Sequence, residues 1–381
     1  MKLSCTRDNL QQGLAITSHL TGKNVNLPIL SNVLMKTEGG SLRLTTTNLE
    51  MATSCLVRGK VEEEGDFTIP SKLFFDYVSL LPNENVNLVA AADTLSVSCG
   101  QYKTKIKGLA ASEFPLIPPV TGEKQYTIPV EEFRGALAQV LFAVAGNESR
   151  PELAGVSMKF HDAAAGKNKL TLAATDSYRL AERTVTMSAG STEVPFEVIV
   201  PARALGEVSR ILSLFKDSVE SPEVVTLQLA DNQIVFNYGP VELTSRTVEG
   251  TYPDYKQIIP SSFQTEAVLK RDDLIKAVKT ASLFSRTGLF DVTLGVVPAS
   301  GEFRVTAIDA ARGENEAVCS ADATGEENKI TVNYRYLLDG LNAITTDEIL
   351  FQAIDAANPC LIKPKSDQDT GYQYIVMPIK Q

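Results

Sequence analysis

Laid against itself at a spacing of roughly 130 residues, the sequence repeats three times, and this constrains the fold more than any other feature. Each unit opens on an amphipathic helical stretch: Arg7 to His19, Val130 to Val144 and Lys270 to Phe284. Strand-like segments with alternating apolar residues follow, starting at Leu30, Leu153 and Leu289. A second block runs from a short strand into another helix, as in FTIPSKLFFDYVSLL from Phe67, FEVIVPARALGEVSRILSLF from Phe196 and KITVNYRYLLDGLNAI from Lys329. Pro70 and Pro201 stand just before that helix, where proline holds its predecessor extended and marks a strand-to-helix switch; the third unit has Asn333 instead.

The first two units also end alike, with Glu113-Phe114-Pro115 matching Thr251-Tyr252-Pro253-Asp254 ahead of proline-containing connectors. The expected domains are therefore 1–124, 125–262 and 263–381. Each is an α+β unit with two helices over period-2 strands. Similar units in a row bury most surface by continuing their sheets edge to edge, and a constant turn per unit bends the row into an arc. Two open sheet edges remain, which a second copy removes by closing the circle.

Composition narrows the chemistry. Two histidines, His19 and His161, belong to no Ser/His/Asp, Cys/His or H-x-x-x-H arrangement, so the commonest routes to nucleophilic or metal catalysis are missing. Five scattered cysteines (Cys5, Cys55, Cys99, Cys319, Cys360) form no C-x-x-C and read as reduced, buried thiols, with no metal site and no cofactor expected. No apolar run approaches the ~20 residues that span a bilayer, and the opening Met1-Lys2-Leu3-Ser4-Cys5 is not a signal peptide; a cytoplasmic protein is expected.

A net charge of −10 argues against nucleic acid, because phosphate affinity comes from Lys and Arg. The charge is unevenly placed, however. The six helical windows (7–19, 71–81, 130–144, 202–215, 270–284, 334–344) hold ten cations and eight anions, leaving 26 cations against 38 anions elsewhere. Five of those eight acids (Asp8, Glu131, Glu132, Asp272, Asp273) lie near helix starts, where the macrodipole favours carboxylates. Arg203 and Arg210 share the face opposite Leu205, Val208 and Leu212, and Lys72, Lys276, Lys279 and Arg335 stand likewise beside apolar positions. Mildly cationic helices on an acidic body suit a DNA-lined hole with an acidic exterior; the same pattern also describes ordinary solvated helix faces.

Six motifs then fall in the order of one family: Leu27-Pro28-Ile29-Leu30 with Asn32 and Leu34; Thr47-Asn48-Leu49-Glu50-Met51; Pro70-Ser71-Lys72; Ala174-Thr175-Asp176-Ser177-Tyr178-Arg179-Leu180; Tyr252-Pro253-Asp254-Tyr255; and Val376-Met377-Pro378-Ile379. From end to end the chain resembles the bacterial DNA sliding clamps, the beta subunits of DNA polymerase III. The resemblance implies a head-to-tail ring of two chains, three similarly folded clamp domains in each, with helices lining the hole. It implies a processivity factor that encircles duplex DNA without sequence specificity, catalyses nothing and is opened by a separate ATP-driven loader. No P-loop occurs in the sequence.

The resemblance also implies a pocket where polymerase, clamp loader and repair proteins insert short linear peptides. By position it comprises Leu153, Thr175, Ser177, Tyr178, Arg179, Leu180, Pro253, Gln257, Ile258, Pro359, Ile375, Met377, Pro378 and Ile379. Gln257 replaces a common basic residue, and Lys380-Gln381 stands where relatives often end in Arg and an apolar residue, so the peptide preference is open. DNA contacts by position are Arg7, Lys23, Asn24, Lys72, Arg134, Asn147, Arg150, Arg203 and Arg210, phosphate contacts that read no bases. Ring closure is assigned to Thr104 and Ile106 of one chain meeting Leu283 and Phe284 of the other, on the expectation that Ile106 and Phe284 are exposed.

Two other readings compete. A peptide-binding repeat scaffold without DNA shares every feature but the hole. An enzyme built on Asp176 and Asp309 is disfavoured, because the first repeat has Asn48 there and acids in separate domains stand too far apart to cooperate.

Overall fold

A computed structural model describes residues 1–21, 27–118, 120, 124–146, 149–161, 166–190, 192–215, 222–366 and 371–379. Lys23, Asn24, Asn147, Lys380 and Gln381 lie outside these residues. Among the described residues the six expected helices are present: α1 (Arg7–Thr17), α2 (Ser71–Ser79), α3 (Val130–Val140), α4 (Ala202–Leu214), α5 (Arg271–Ser282) and α6 (Tyr334–Ala343).

Each helix grows out of a strand for a local reason. Thr6 ends the strand Lys2–Thr6 and its hydroxyl accepts from Asn9 N at 3.3 Å, capping α1. Asn333, standing where the first two repeats have proline, caps α6 by accepting from Arg335 N at 2.9 Å. Pro70, with φ −56° and ψ 114°, precedes α2 without a side-chain cap.

Every repeat is woven alike. The strand leading into the first helix (Lys2–Thr6, Lys124–Pro129, Thr265–Lys270) lies inside an antiparallel sheet, and the strand leading into the second helix (Asp66–Pro70, Phe196–Pro201, Asn328–Asn333) is a sheet end, of another sheet in the first two repeats and of the same twelve-stranded sheet in the third. Apolar faces of α1 and α2 fill the space beside both sheets in the first repeat. There Leu10, Leu14, Phe74 and Val78 are fully buried in one core with Leu3, Val33, Leu44 and Leu88. Burial of each such side chain contributes about 1.5–3 kcal/mol, which makes these cores the main stabilising term.

Sheets continue from repeat to repeat, as the arrangement of three similar units requires. The last strand of the second repeat, Val241–Arg246, pairs antiparallel with Met51–Val57 of the first, with Ser245 opposite Met51. The last strand of the third, Tyr372–Val376, pairs with Arg179–Thr186 of the second, with Val376 opposite Arg179. Backbone contacts accordingly gather the chain into two compact units that divide the central repeat between them. One comprises residues 1–130, 188–192 and 210–247 and holds a five-stranded and a nine-stranded sheet; the other comprises 131–187, 193–209 and 248–381 and holds a twelve-stranded sheet.

Several strands have a neighbour on one side only among the described residues, and two such stretches correspond to the strands that join the repeats. Tyr102–Lys107 ends the five-stranded sheet. In the long strand Gly313–Gly325, residues 313–320 pair only with Glu302–Asp309, and the strand then bends to pair residues 321–325 with Thr265–Leu269.

Candidate functional site

The segment Thr175-Asp176-Ser177-Tyr178-Arg179 is a tight turn held by its own side chains. The Thr175 hydroxyl donates to Arg179 O at 2.6 Å and accepts from Ser177 N at 3.1 Å. Asp176 Oδ1 accepts from the backbone N of Tyr178 and Arg179 at 2.9 and 3.1 Å. Ser177 pays with a left-handed φ of 77°. Thr47 to Met51 reproduces the same bonds, with Asn48 Oδ1 in place of the carboxylate and Leu49 at φ 75°. The third repeat keeps the acid, Asp309 Oδ1 accepting from Ala311 N and Arg312 N at 2.9 and 3.0 Å. The turn is therefore structural in all three repeats; the third keeps an arginine, Arg312, at the place of Arg179, and the second alone adds a tyrosine, Tyr178, before it.

Beside this turn a cluster of buried apolar side chains forms from separate segments: Leu153, Leu180, Tyr252, Tyr255, Leu361 and Ile375, with Ile258, Ile259 and Phe263 half-buried against it. Strand register sets Leu180 directly opposite Ile375. The Tyr252 hydroxyl accepts from Thr175 N at 3.1 Å, fastening this cluster to the turn, and burial pushes its phenol pKa well up. Met377 N donates to Tyr178 O at 2.9 Å, which brings Met377, Pro378 and Ile379, all half-buried, past the turn. Thr175 is buried; Pro253, Gln257, Ser177 and Tyr178 are exposed, and Pro359 is half-buried. Gln257 Nε2 donates to Asp254 Oδ2 at 2.9 Å, giving the rim a neutral polar corner. The arrangement is an apolar floor with an exposed aromatic ring and polar groups at its edge, the composition with which a short peptide is held by one or two anchors.

Arg179 organises the far side. Its Nε donates to Asp176 Oδ2 at 3.0 Å, Nη1 to Asp339 Oδ2 at 2.5 Å and Nη2 to Phe142 O at 2.6 Å. The guanidinium lies 4.5 Å from the Tyr336 ring centroid and 5.5 Å from that of Phe142. Tyr178 stacks on Tyr336 at 6.4 Å. Behind them Tyr374 donates to Tyr336 O at 2.7 Å and meets Phe142 at 5.6 Å. Gly340 makes this approach of α6 possible, since a Cβ there would stand 2.1 Å from the Tyr374 ring.

The expected DNA-facing residues separate into kinds. Lys72 and Arg203 are each the second residue of their helix and exposed, and Arg335 repeats that placement on α6. Arg150 is exposed in a turn. Arg7 lies 3.3 Å from Asp8 and Arg134 pairs with Glu131, so both guanidiniums are partly neutralised. Arg210 is occupied: Nη1 and Nη2 donate to Ala15 O and Ile16 O at 3.3 and 2.8 Å, closing the C-terminal end of α1. The expected exposure of Ile106 is not found. It is only 6% exposed because the alternation of its strand turns it into the first repeat's own core, and Phe284 is half-buried; the exposed apolar residue here is Leu283, at 67%.

Family models for the DNA polymerase III beta subunit match residues 1–118 (N-terminal domain), 127–254 (central domain) and 256–380 (C-terminal domain). The chain belongs to the DNA polymerase III beta subunit family. Its relatives include a beta sliding clamp of Synechococcus elongatus, 33% identical over 100% of this chain and 99% of that one. A Staphylococcus epidermidis beta sliding clamp is 27% identical over the same shares. Among solved structures, the Pseudomonas aeruginosa DNA polymerase III subunit beta superposes with TM-score 0.92 at 26% identity, each chain covered fully. A Bartonella birtlesii sliding clamp, solved bound to griselimycin, gives 0.90 at 28% identity with full coverage of both.

Within this clamp family framework, sequence reasoning reached the turn and the apolar floor but missed Phe142, Tyr336 and Asp339. None lies in a family motif quoted from the sequence. The signal available was positional: Asp339 occupies the same place in α6 that Asp76 holds in α2 and Glu207 in α4, an acid on every second helix.

Proposed function

We propose that this chain is a processivity clamp: two copies close head to tail around duplex DNA, and partner proteins dock short peptides into the pocket beside Tyr178. The observation that carries the reading is the pair of half-used strands. At the internal junctions Val241–Arg246 meets Met51–Val57 and Tyr372–Val376 meets Arg179–Thr186, while the corresponding strands of the first and third repeats, Tyr102–Lys107 and the 313–320 segment, meet no such partner among the described residues. Joined between copies, they repeat the internal junction and cover both of those edges. Charge supports the unlike pairing. Lys103, Lys105 and Lys107 mark one strand, while Glu314 and Glu316 mark the 313–320 segment without a cation, so like-to-like closure is repulsive.

Three domains with junctions near residues 124 and 262 make up each half-ring, and Lys72, Arg150, Arg203 and Arg335 supply diffuse attraction to phosphates inside it. Such a protein works by enclosure in the cytoplasm and needs no catalytic group or cofactor. Polymerase, loader and repair proteins are the expected partners. The test is retention of loaded protein at high salt on nicked circular DNA, followed by linearisation. Persistence on circles and escape from ends is expected; equal loss from both overturns the ring and leaves a peptide-binding scaffold.

A further inference from the structure

The geometry points to a specific interchain ion pair that locks the closed ring: Arg312 bound to Asp76 of the partner subunit. The inference rests on the head-to-tail reading and deepens it.

Its template is inside the chain. Arg179 and Arg312 hold the same place in successive repeats, each the residue after the same acid-capped turn. Each donates to a carbonyl just past the first helix of its own repeat: Arg179 Nη2 to Phe142 O at 2.6 Å, Arg312 Nη1 to Leu283 O at 3.5 Å. Phe142 and Leu283 are equivalent, both twelve residues beyond the start of their helices at Val130 and Arg271. Arg179 then reaches Asp339, the sixth residue of the next repeat's second helix, while lying over Tyr336, the third. In the first repeat those two places on α2 are Asp76 and Leu73.

Arg312 and Asp76 are left as the two halves of such a junction. Arg312 is exposed, reaches Thr287 Oγ1 at 3.2 Å and meets no carboxylate among the described residues; Asp76 is exposed and makes no ion pair among them. The apolar shelves are bare as well, Leu283 at 67% exposure and Leu73 at 55%. A shallow cleft of about 400 Å³, lined by Asp272, Ile275, Lys276, Lys279, Thr280 and Leu283, runs along α5. Strand register agrees. Arg179 lies opposite Val376, and the isolated bridges Thr68–Leu109 and Ile199–Val248 align Ile106 with Ser245, the residue opposite Met51. Arg312 thereby falls opposite the partner's Ile106, within reach of the partner's α2. Coming out of water on closure, the pair gains where an exposed surface pair would not.

The test is dimer dissociation, measured by sedimentation equilibrium over a dilution series of the full chain, for wild type, Arg312→Glu, Asp76→Arg and the double variant. Circular dichroism verifies that all four fold. Each single exchange sets like charges together and is expected to weaken the dimer about tenfold or more, with the double exchange restoring it to within about threefold. A wild-type dimer indifferent to both single exchanges, or a double variant as weak as the two losses combined, overturns the lock while sparing the ring. A wild type that stays monomeric at every concentration overturns the ring reading itself, and the lock with it.

Discussion

Arg179 Nη1 lies 2.5 Å from Asp339 Oδ2, joining residues 160 positions apart and tying the turn of the second repeat to α6 of the third. The Arg179 side chain is only 11% exposed, so its removal takes away the guanidinium that both the Asp176 and the Asp339 carboxylates bond. Arg179→Ala is expected to cost about 2–3 kcal/mol, read as a lower urea midpoint. Arg179→Lys keeps the charge but not the planar fork that serves Asp176, Asp339 and Phe142 O together, and recovers less than half of the loss.

Tyr178 tests the pocket separately from the fold. It is 63% exposed and its backbone, not its ring, makes the turn's hydrogen bonds. Tyr178→Ala therefore leaves stability within about 0.5 kcal/mol of wild type. Loss of an aromatic anchor is expected to weaken a fluorescein-labelled, polymerase-derived clamp-binding peptide about tenfold in anisotropy titrations. Undiminished affinity would remove Tyr178 from the site.

How much of this was legible in the sequence follows from the range of each interaction. The helices were readable because their causes are local: apolar spacing, Pro70 and Pro201 act within a turn or two. The turn at Thr175 was readable for the same reason, and its repetition at Thr47 and Asp309 separated scaffold from addition. The Arg179–Asp339 pair was not, since it depends on which strands meet between repeats. Ile106 failed similarly. Both its inward and its outward placement satisfy a two-residue alternation, and only the packed sheet decides between them.

Arg203 and Arg210 share a helix face yet have different work. Arg203 is exposed at the start of α4, whereas Arg210 closes the end of α1 through Ala15 O and Ile16 O. Arg203→Ala is expected to reduce the salt slope of DNA binding by about 1. Arg210→Ala is expected to lower stability by about 1–2 kcal/mol, because it orphans two helix-end carbonyls, with a smaller effect on the salt slope. Equal salt effects from both would show that Arg210 leaves α1 when DNA enters.

The thiols make the fold sensitive to alkali. Burial pushes Cys5, Cys55 and Cys360 up to about 12 in the native chain, against the ordinary value near 9. Above pH 9 the unfolded chain ionises these groups while the native chain keeps them protonated, so the unfolded state binds fewer protons and stability must fall as pH rises. The loss begins near pH 9, approaches about 1.4 kcal/mol per pH unit for each thiol, and levels off near 12. Cys360, wholly enclosed, is the cleanest case: Cys360→Ala is expected to flatten the decline of the urea midpoint between pH 9 and 11 by one thiol's share. At pH 8 its thiolate fraction is about one in ten thousand, so Ellman's reagent should reach it only on the unfolding timescale. Prompt labelling of Cys360 in the native chain, together with an unchanged alkaline slope in the alanine variant, would show that the strand pair Cys360–Val376 opens far more readily than its packing implies.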